Sequence, residues 1–273
     1  MYSFEYLLPS SLQEAQKLLE SHDEAKLLAG GMSLLSAMKL RLNRPSHLVD
    51  LRGIPAMKGI RVDADAVVIG AMMRHADVAA SVEVRAAIPA LADLAGGIGD
   101  RQVRNRGTLG GSVANSDPAA CYPSAVIGLG ATIVTTSRRI AADDFFTGLF
   151  ETALQRGEIL VEIRFPRPKR AAYVKYTQAA SRFATVGVMA VEHRNGEIRI
   201  GVTGAKSWAY RERRIEALLN QSLVPALVRA VELDEDGYNT DLHADALYRR
   251  HLVTEIAARA VEKLMGQGHS EQA

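Results

Sequence analysis

The chain has 273 residues, 48% of them hydrophobic, and its 33 lysines and arginines nearly balance its 31 aspartates and glutamates, leaving a formal charge of +2. That length supports a substantial core spread over two or three lobes, and the near balance of charge leaves no overall field to gather nucleic acid or anionic lipid. A single cysteine excludes an intrachain disulfide, a structural zinc site of the usual thiolate kind and an iron–sulfur cluster, so any redox chemistry here calls for an organic cofactor.

The opening "MYSFEYLLPS" has no basic region followed by a long apolar run, and nowhere does the chain approach ~18 uninterrupted apolar residues. This reads as a soluble, cytoplasmic protein without membrane insertion. Residues 3–8 suit a strand, and "SLQEAQKLLES" opens on Ser11 with Glu14 three residues later, the spacing of a capping box. Leu12, Ala15, Leu18 and Leu19 then share one helical face. The apolar "AKLLA" reads as a second strand, followed by Gly30-Gly31 and by a helix with Leu34, Leu35, Met38 and Leu42 at helical spacing, stopped by Pro45. "HLVDL" is a third buried strand. Strand, helix, strand, helix, strand over the first ~55 residues predicts a small parallel sheet flanked by helices.

From residue 58 the texture changes. "GIRVDADAVVIG" predicts a hairpin turning near Asp63 to Asp65, and "VEVRAAIPALADLAGGIG" a helical segment ending at glycines. "CYPSAVIGLGATIVTT" reads as a short helix and a strand, and "GEILVEIRFPRP" as a strand ended by prolines. The cation-rich "FPRPKRAA" marks the sharpest boundary, because proline cannot continue a ladder. Beyond it, "AYVKYTQ", the hairpin signal Asn195-Gly196 inside "TVGVMAVEHRNGEIRIGVTGA", and a helical tail predict an antiparallel sheet packed on helices. The tail places Leu247, Leu252, Ile256, Ala260 and Leu264 toward the core. The units expected are therefore 1–57, 58–168 and 169–273.

Two glycine-rich stretches carry the functional signal. Gly30-Gly31 falls between a strand and a helix, where unpaired N–H groups and the positive end of the helix dipole meet, a favourable place for phosphate. Ser33 would either donate to such a phosphate or cap the helix of an ordinary turn. The second stretch, "GTLGGSVANSDP", repeats the chemistry with Thr108, Gly110, Gly111, Ser112, Asn115 and Ser116. Two anion-cradling loops suit a ligand with two phosphates. Neither stretch is a Walker A or a G-x-G-x-x-G motif. The seven histidines form no H-x-x-x-H or H-x-H pair, so no metal site is expected, and no Ser-His-Asp or paired-carboxylate setting stands out.

"KLLAGGMSLLSAMKLRLNRPSHLVDL" (26–51) and "RQVRNRGTLGGSVANSDPAACYPSAVIGLGA" (101–131), with "GEILVEIRFP" and "YVKYTQAASRFATVGV" in the same order, resemble the FAD-binding medium subunit of the molybdenum hydroxylases, the group that includes aerobic carbon monoxide dehydrogenase and xanthine dehydrogenase. The resemblance covers nearly the whole chain. It implies an α+β fold of the vanillyl-alcohol oxidase-like, PCMH-type FAD-binding kind, with two α/β lobes clasping FAD and a C-terminal antiparallel sheet with helices covering it. It also implies that Leu28, Ala29, Gly30, Gly31, Met32 and Ser33 form the first flavin loop, and Thr108, Gly110, Gly111, Ser112 and Asn115 the second, with Asp117 in the same match. Leu160 matches a position flanking the cofactor, and Lys175 falls in the segment approaching the isoalloxazine. No residue of this chain is assigned a catalytic role of its own.

The implied activity is oxidoreductase: electrons pass from [2Fe–2S] clusters on a small partner subunit through FAD to an external acceptor. A large partner subunit carries the molybdopterin cofactor, and the assembly implied is a dimer of heterotrimers. The sequence departs from the family pattern at Cys121, where relatives often carry an acidic residue, and at Gln178, Ala179 and Arg182, where many have RR-x-x-D. A cation near the flavin would stabilise its anionic reduced form. Two other readings are a self-sufficient flavin oxidoreductase on this fold and a flavin-free assembly module. Cys121 itself reads as a core thiol more readily than as a covalent flavin attachment, and Arg101 and Arg104 as solvated or paired with acidic neighbours.

Overall fold

The computed structural model describes residues 1–266. Five elements build the N-terminal layer: β1 (Glu5–Leu7), α1 (Leu12–Ser21), β2 (Ala25–Leu28), α2 (Leu34–Lys39) and β3 (His47–Asp50). The strands pair in parallel in the order β1-β3-β2, as the alternation predicts. The capping device at α1 is displaced by one residue from the expected box. Ser11 Oγ accepts the Glu14 N–H at 3.2 Å, but Glu14 Oε2 accepts from the N–H of Ser10 at 2.8 Å.

Helix α2 is shorter than its apolar spacing predicts. Arg41 takes a left-handed conformation (φ 61) and two crossed bonds close the helix, Leu42 N–H to Ala37 O and Arg41 N–H to Met38 O, a Schellman termination. Leu42 therefore lies past the helix and is 78% exposed.

Next come β4 (Ile60–Val62), β5 (Ala66–Gly70), α3 (His75–Ala80), α4 (Val82–Ala87), α5 (Pro89–Gly96), α6 (Arg101–Arg104), α7 (Leu109–Asn115) and α8 (Tyr122–Gly128). They are followed by β6 (Thr132–Thr135), β7 (Arg139–Ala141), β8 (Phe146–Gly148), β9 (Glu151–Thr152) and β10 (Leu160–Pro166). The predicted hairpin is β4–β5, within an antiparallel sheet of order β4-β5-β10-β6-β7. The helical stretch after it divides into α4 and α5, because Pro89 pushes Ile88 out of helical conformation (φ −145, ψ 71) and then starts the next helix.

The third sheet holds β11 (Arg170–Thr177), β12 (Ala184–Glu192), β13 (Ile198–Thr203) and β14 (Tyr210–Arg211), antiparallel and in chain order, with the Asn195-Gly196 turn joining β12 to β13. Three helices follow: α9 (Arg213–Leu219), α10 (Pro225–Arg229) and α11 (Ala246–Gly266).

Strand β12 is buried on both faces, which is why it reads as an unbroken apolar run rather than an alternating one. Val186, Val188 and Ala190 face α11, whereas Met189 and Val191 join the large core that continues through the first two sheets. Helix α8 lies directly on β13. A Cβ at Gly201 would stand 2.1 Å from Ser124 O, so only glycine permits that approach. In α11, Leu252, Ile256, Ala260 and Leu264 are buried as expected, but Leu247 is 66% exposed. At 100° per residue it sits about 140° around the helix from Leu252 and faces outward. No helix among the described residues is long and apolar enough to cross a membrane.

Candidate functional site

The two glycine stretches meet. A Cβ at Gly30 would lie 2.3 Å from Arg106 O and 2.6 Å from Gly107 Cα, so backbone packs on backbone there. A Cβ at Gly111 would lie 3.2 Å from that of Ala29. The tertiary fold thus joins segments far apart in the chain, at the C-terminal edge of a parallel strand and the start of α7.

Within the first stretch, Leu28 ends β2 and is buried, packing with Met38 and Leu48. Gly31 has φ +75, a conformation a residue with a side chain adopts only at a cost. The N–H groups of Gly30, Gly31, Met32 and Ser33 have no hydrogen-bond acceptor among the described residues. Ser33 occupies the cap position of α2 in helical conformation (φ −86, ψ −51) and makes no side-chain cap bond. The ordinary reading of a serine-capped turn is therefore not realised. What stands there is a run of unused donors with an exposed hydroxyl, beside a turn that lacks the Cβ atoms that would keep an anion away.

The second stretch is used differently. It is the first turn of α7, not an open loop. Thr108 caps the helix, its Oγ1 accepting the Gly111 N–H at 3.1 Å. The Leu109 N–H bonds to Met73 O, the Gly110 N–H to Ala71 O and the Ser112 N–H to Thr108 O. The backbone donors expected to cradle phosphate are thus consumed by protein. Gly110 is required for packing, since a Cβ there would lie 2.4 Å from Ala71 Cβ. The side chains of Ser112 and Asn115, both half-buried, make no hydrogen bond to the described residues.

Ser116 ends α7 in left-handed conformation (φ 47). Asp117 Oδ1 accepts the Ala119 N–H at 2.9 Å, and burial raises its carboxyl above the ordinary range. The "SDPAA" segment is stitched to the third sheet: Pro118 O accepts from the Gly204 N–H and from Thr203 Oγ1, and Ala120 O accepts from Thr203 Oγ1 as well.

Leu160 opens β10 at a bulge and is buried in the large core. Lys175 is fully engaged: its Nζ donates to Gly97 O and Arg182 O at 2.8 Å each, and lies 3.5 Å from Cys121 Sγ. It binds together the turn after α5, the loop before β12 and the start of α8. Cys121 is a buried thiol. Arg104 donates to the carbonyls of Ile98 and Gly99 rather than to a carboxylate.

Two residues outside the expected set shape this site. Gly107 receives Gly30 on one side and His75 on the other, where a Cβ would stand 2.5 Å from Nε2. His75 is buried, stacks obliquely on Tyr122, and has its pKa lowered from 6.5 to about 4 by burial and by Arg104. Gly107, the leading glycine of "GTLGG", is itself a visible signal in the sequence. A histidine distant in sequence offered none.

The donor set fits a diphosphate. Four free N–H groups, a free hydroxyl and an exposed Arg106 without a carboxylate partner among the described residues supply directional bonds and positive charge.

Comparison with known proteins agrees with this geometry. Residues 2–168 match the family described as FAD binding domain in molybdopterin dehydrogenase. The chain is 37% identical to the carbon monoxide dehydrogenase medium chain of Hydrogenophaga pseudoflava, over 94% of this chain and 96% of that one. It is 34% identical to the nicotine 6-hydroxylase medium subunit of Paenarthrobacter nicotinovorans, over 94% and 95%. Among solved structures, carbon monoxide dehydrogenase from Hydrogenophaga pseudoflava superposes with a TM-score of 0.89 at 37% identity, over 97% of this chain and 98% of that one. Quinoline 2-oxidoreductase from Pseudomonas putida 86 gives 0.89 at 31% identity, over 98% of each. The fold is accordingly the PCMH-type FAD-binding fold, and the chain belongs to the family of FAD-binding medium subunits of molybdenum-containing oxidoreductases.

Proposed function

We propose that this chain is the electron-transfer subunit of a cytoplasmic molybdenum hydroxylase. The observation that carries the reading is the run of four N–H groups at Gly30 to Ser33 without a partner among the described residues, beside a second glycine turn whose Leu109, Gly110, Gly111 and Ser112 N–H groups are all taken. The relatives whose names call them medium chains or medium subunits support partners of other sizes. In this reading a large subunit holds the molybdopterin cofactor, a small subunit holds [2Fe–2S] clusters, and these two with the present chain form a heterotrimer that pairs as a dimer of heterotrimers. Bound FAD supplies a carrier that accepts electrons from those clusters and yields them to an external acceptor.

The chain's own residues bind and position. Gly30, Gly31, Met32 and Ser33 would hold the diphosphate through backbone N–H groups and the Ser33 hydroxyl, with Leu28 and Ala29 setting the turn's exit from β2. Thr108, Gly110 and Gly111 keep α7 seated against Ala71 and Met73, so that Ser112 and Asn115 present free side-chain donors. Asp117 fixes the turn that docks on the third sheet. Leu160 packs beneath, and Lys175 holds the loops that would flank the isoalloxazine. We assign residues 1–57 and 58–168 to two lobes clasping the cofactor and 169–273 to the unit covering it.

The test is purification from the native source through an internal tag, with an absorbance spectrum and mass spectrometry of what accompanies the chain. Flavin bands with two further chains, one rich in cysteine, are expected. A yellow chain that travels alone would replace this reading with a self-sufficient flavoenzyme, and a colourless one with an assembly module.

A further inference from the structure

The cation-rich stretch "FPRPKRAA" is not used by the flavin site. It runs past a cleft of about 340 Å³ whose lining includes Gly130, Arg167, His193, Arg194, Glu197 and Arg199. The cleft lies between the end of β10, the end of α8 and the β12–β13 hairpin, and shares no residue with the turns around Gly30 and Gly111.

Its charges do not balance. Nearby, Arg199, Arg211 and Arg213 are matched against Asp143, Glu197 and Glu216 in one network, three guanidiniums to three carboxylates. Just before the stretch, Arg164 turns to Asp63 and Asp65, and within it Lys169 and Arg170 share Glu192. Arg167 and Arg194 have no carboxylate partner among the described residues, so the cleft carries two uncompensated positive charges.

Its donors are unsatisfied as well. The Nε atoms of Arg167 and Arg199 are buried and have no acceptor among the described residues, a costly condition for a charged donor. Gly130, at φ +60, leaves the room Arg199 occupies: a Cβ there would lie 2.7 Å from Nη1. The only ring nitrogen engaged is His193 Nε2, 3.3 Å from Gly128 O. Three guanidiniums and an imidazole line the cleft beside Leu129, Pro166 and Glu197, and its two uncompensated guanidiniums match a dianion with several acceptor oxygens.

We propose that this cleft is a binding site for a phosphate-class dianion, received by Arg167, Arg194 and Arg199. The test is isothermal titration of the flavin-loaded full chain with inorganic phosphate, and separately with ADP, at constant ionic strength. Saturable phosphate binding is expected, weakened about tenfold or more by Arg167→Gln and by Arg194→Gln, and weakened too by Gly130→Ala, with flavin content unchanged in all three. ADP binding more tightly than phosphate, with the same residue dependence, would identify a phosphate-bearing nucleotide as the source; ADP binding more weakly would identify the free ion. Absence of saturable binding, or binding that the three variants leave intact, overturns the proposal.

Discussion

The turns at Gly30-Gly31 and at Gly110-Gly111 have nearly the same composition, yet the protein uses them in opposite ways. At the first, four consecutive N–H groups have no acceptor among the described residues and the serine hydroxyl makes no cap bond. At the second, Thr108 caps its helix and the carbonyls of Ala71 and Met73 take the N–H groups of Gly110 and Leu109. The first turn keeps its donors free, and the second spends its donors on Thr108, Ala71 and Met73. A glycine pair in sequence therefore signals close backbone approach, but whether the approaching group is a phosphate or another strand end is decided by what the fold puts beside it.

That contrast can be broken most severely at the contact between the turns. Gly30→Val forces side-chain atoms into Arg106 O and Gly107 Cα, both backbone, which cannot swing away. The expected result is loss of flavin and a fall in stability beyond the roughly 1–3 kcal/mol of ordinary overpacking, read from the flavin-to-protein absorbance ratio and from thermal unfolding. A yellow, stable variant would mean the turns are not in contact.

The next largest effect concerns His75 behind Gly107. Its folded pKa of about 4 lies below its ordinary 6.5, so the unfolded chain binds the proton more readily. Stability is full above the unfolded value and declines as pH falls from 6.5 toward 4, by roughly 3 kcal/mol at most. His75→Gln should flatten the unfolding temperature over that range; an unchanged slope would assign the acid sensitivity to other groups.

Gly110→Ala places a methyl 2.4 Å from Ala71 Cβ and should cost about 1–3 kcal/mol, while flavin affinity of the folded fraction stays close to native. Thr108→Ala should cost about 1 kcal/mol through the lost cap. Flavin loss without loss of stability in either variant would show the second turn to be a direct ligand contact. The smallest structural effect is expected at Ser33→Ala, with no cap to lose: an unfolding temperature within error of native and flavin affinity lowered up to about tenfold. A stability loss like that of Thr108→Ala would mean Ser33 caps α2 after all.

Much of the fold is legible in the sequence because its signals are local. The strand and helix alternation before Pro45, the β4–β5 hairpin and the Asn195-Gly196 turn each depend on a few neighbouring residues, and each forms where expected. Misreadings fall where a local pattern met a stronger local stop. Leu42 continues the apolar spacing of α2 but follows Arg41 in left-handed conformation, and Leu247 begins α11 out of phase with its buried face.

At the site, the residue types were legible and their employment was not. Lys175 reads as part of a segment approaching the isoalloxazine, and its three neighbours, Gly97, Cys121 and Arg182, come from separate parts of the chain. By itself the sequence determined the elements, the glycine positions and the absence of cysteine ligands for a cluster. Only the tertiary structure decided which backbone donors stay free, because an N–H group is satisfied or left open by acceptors that arrive from distant segments, and local propensity carries no information about them.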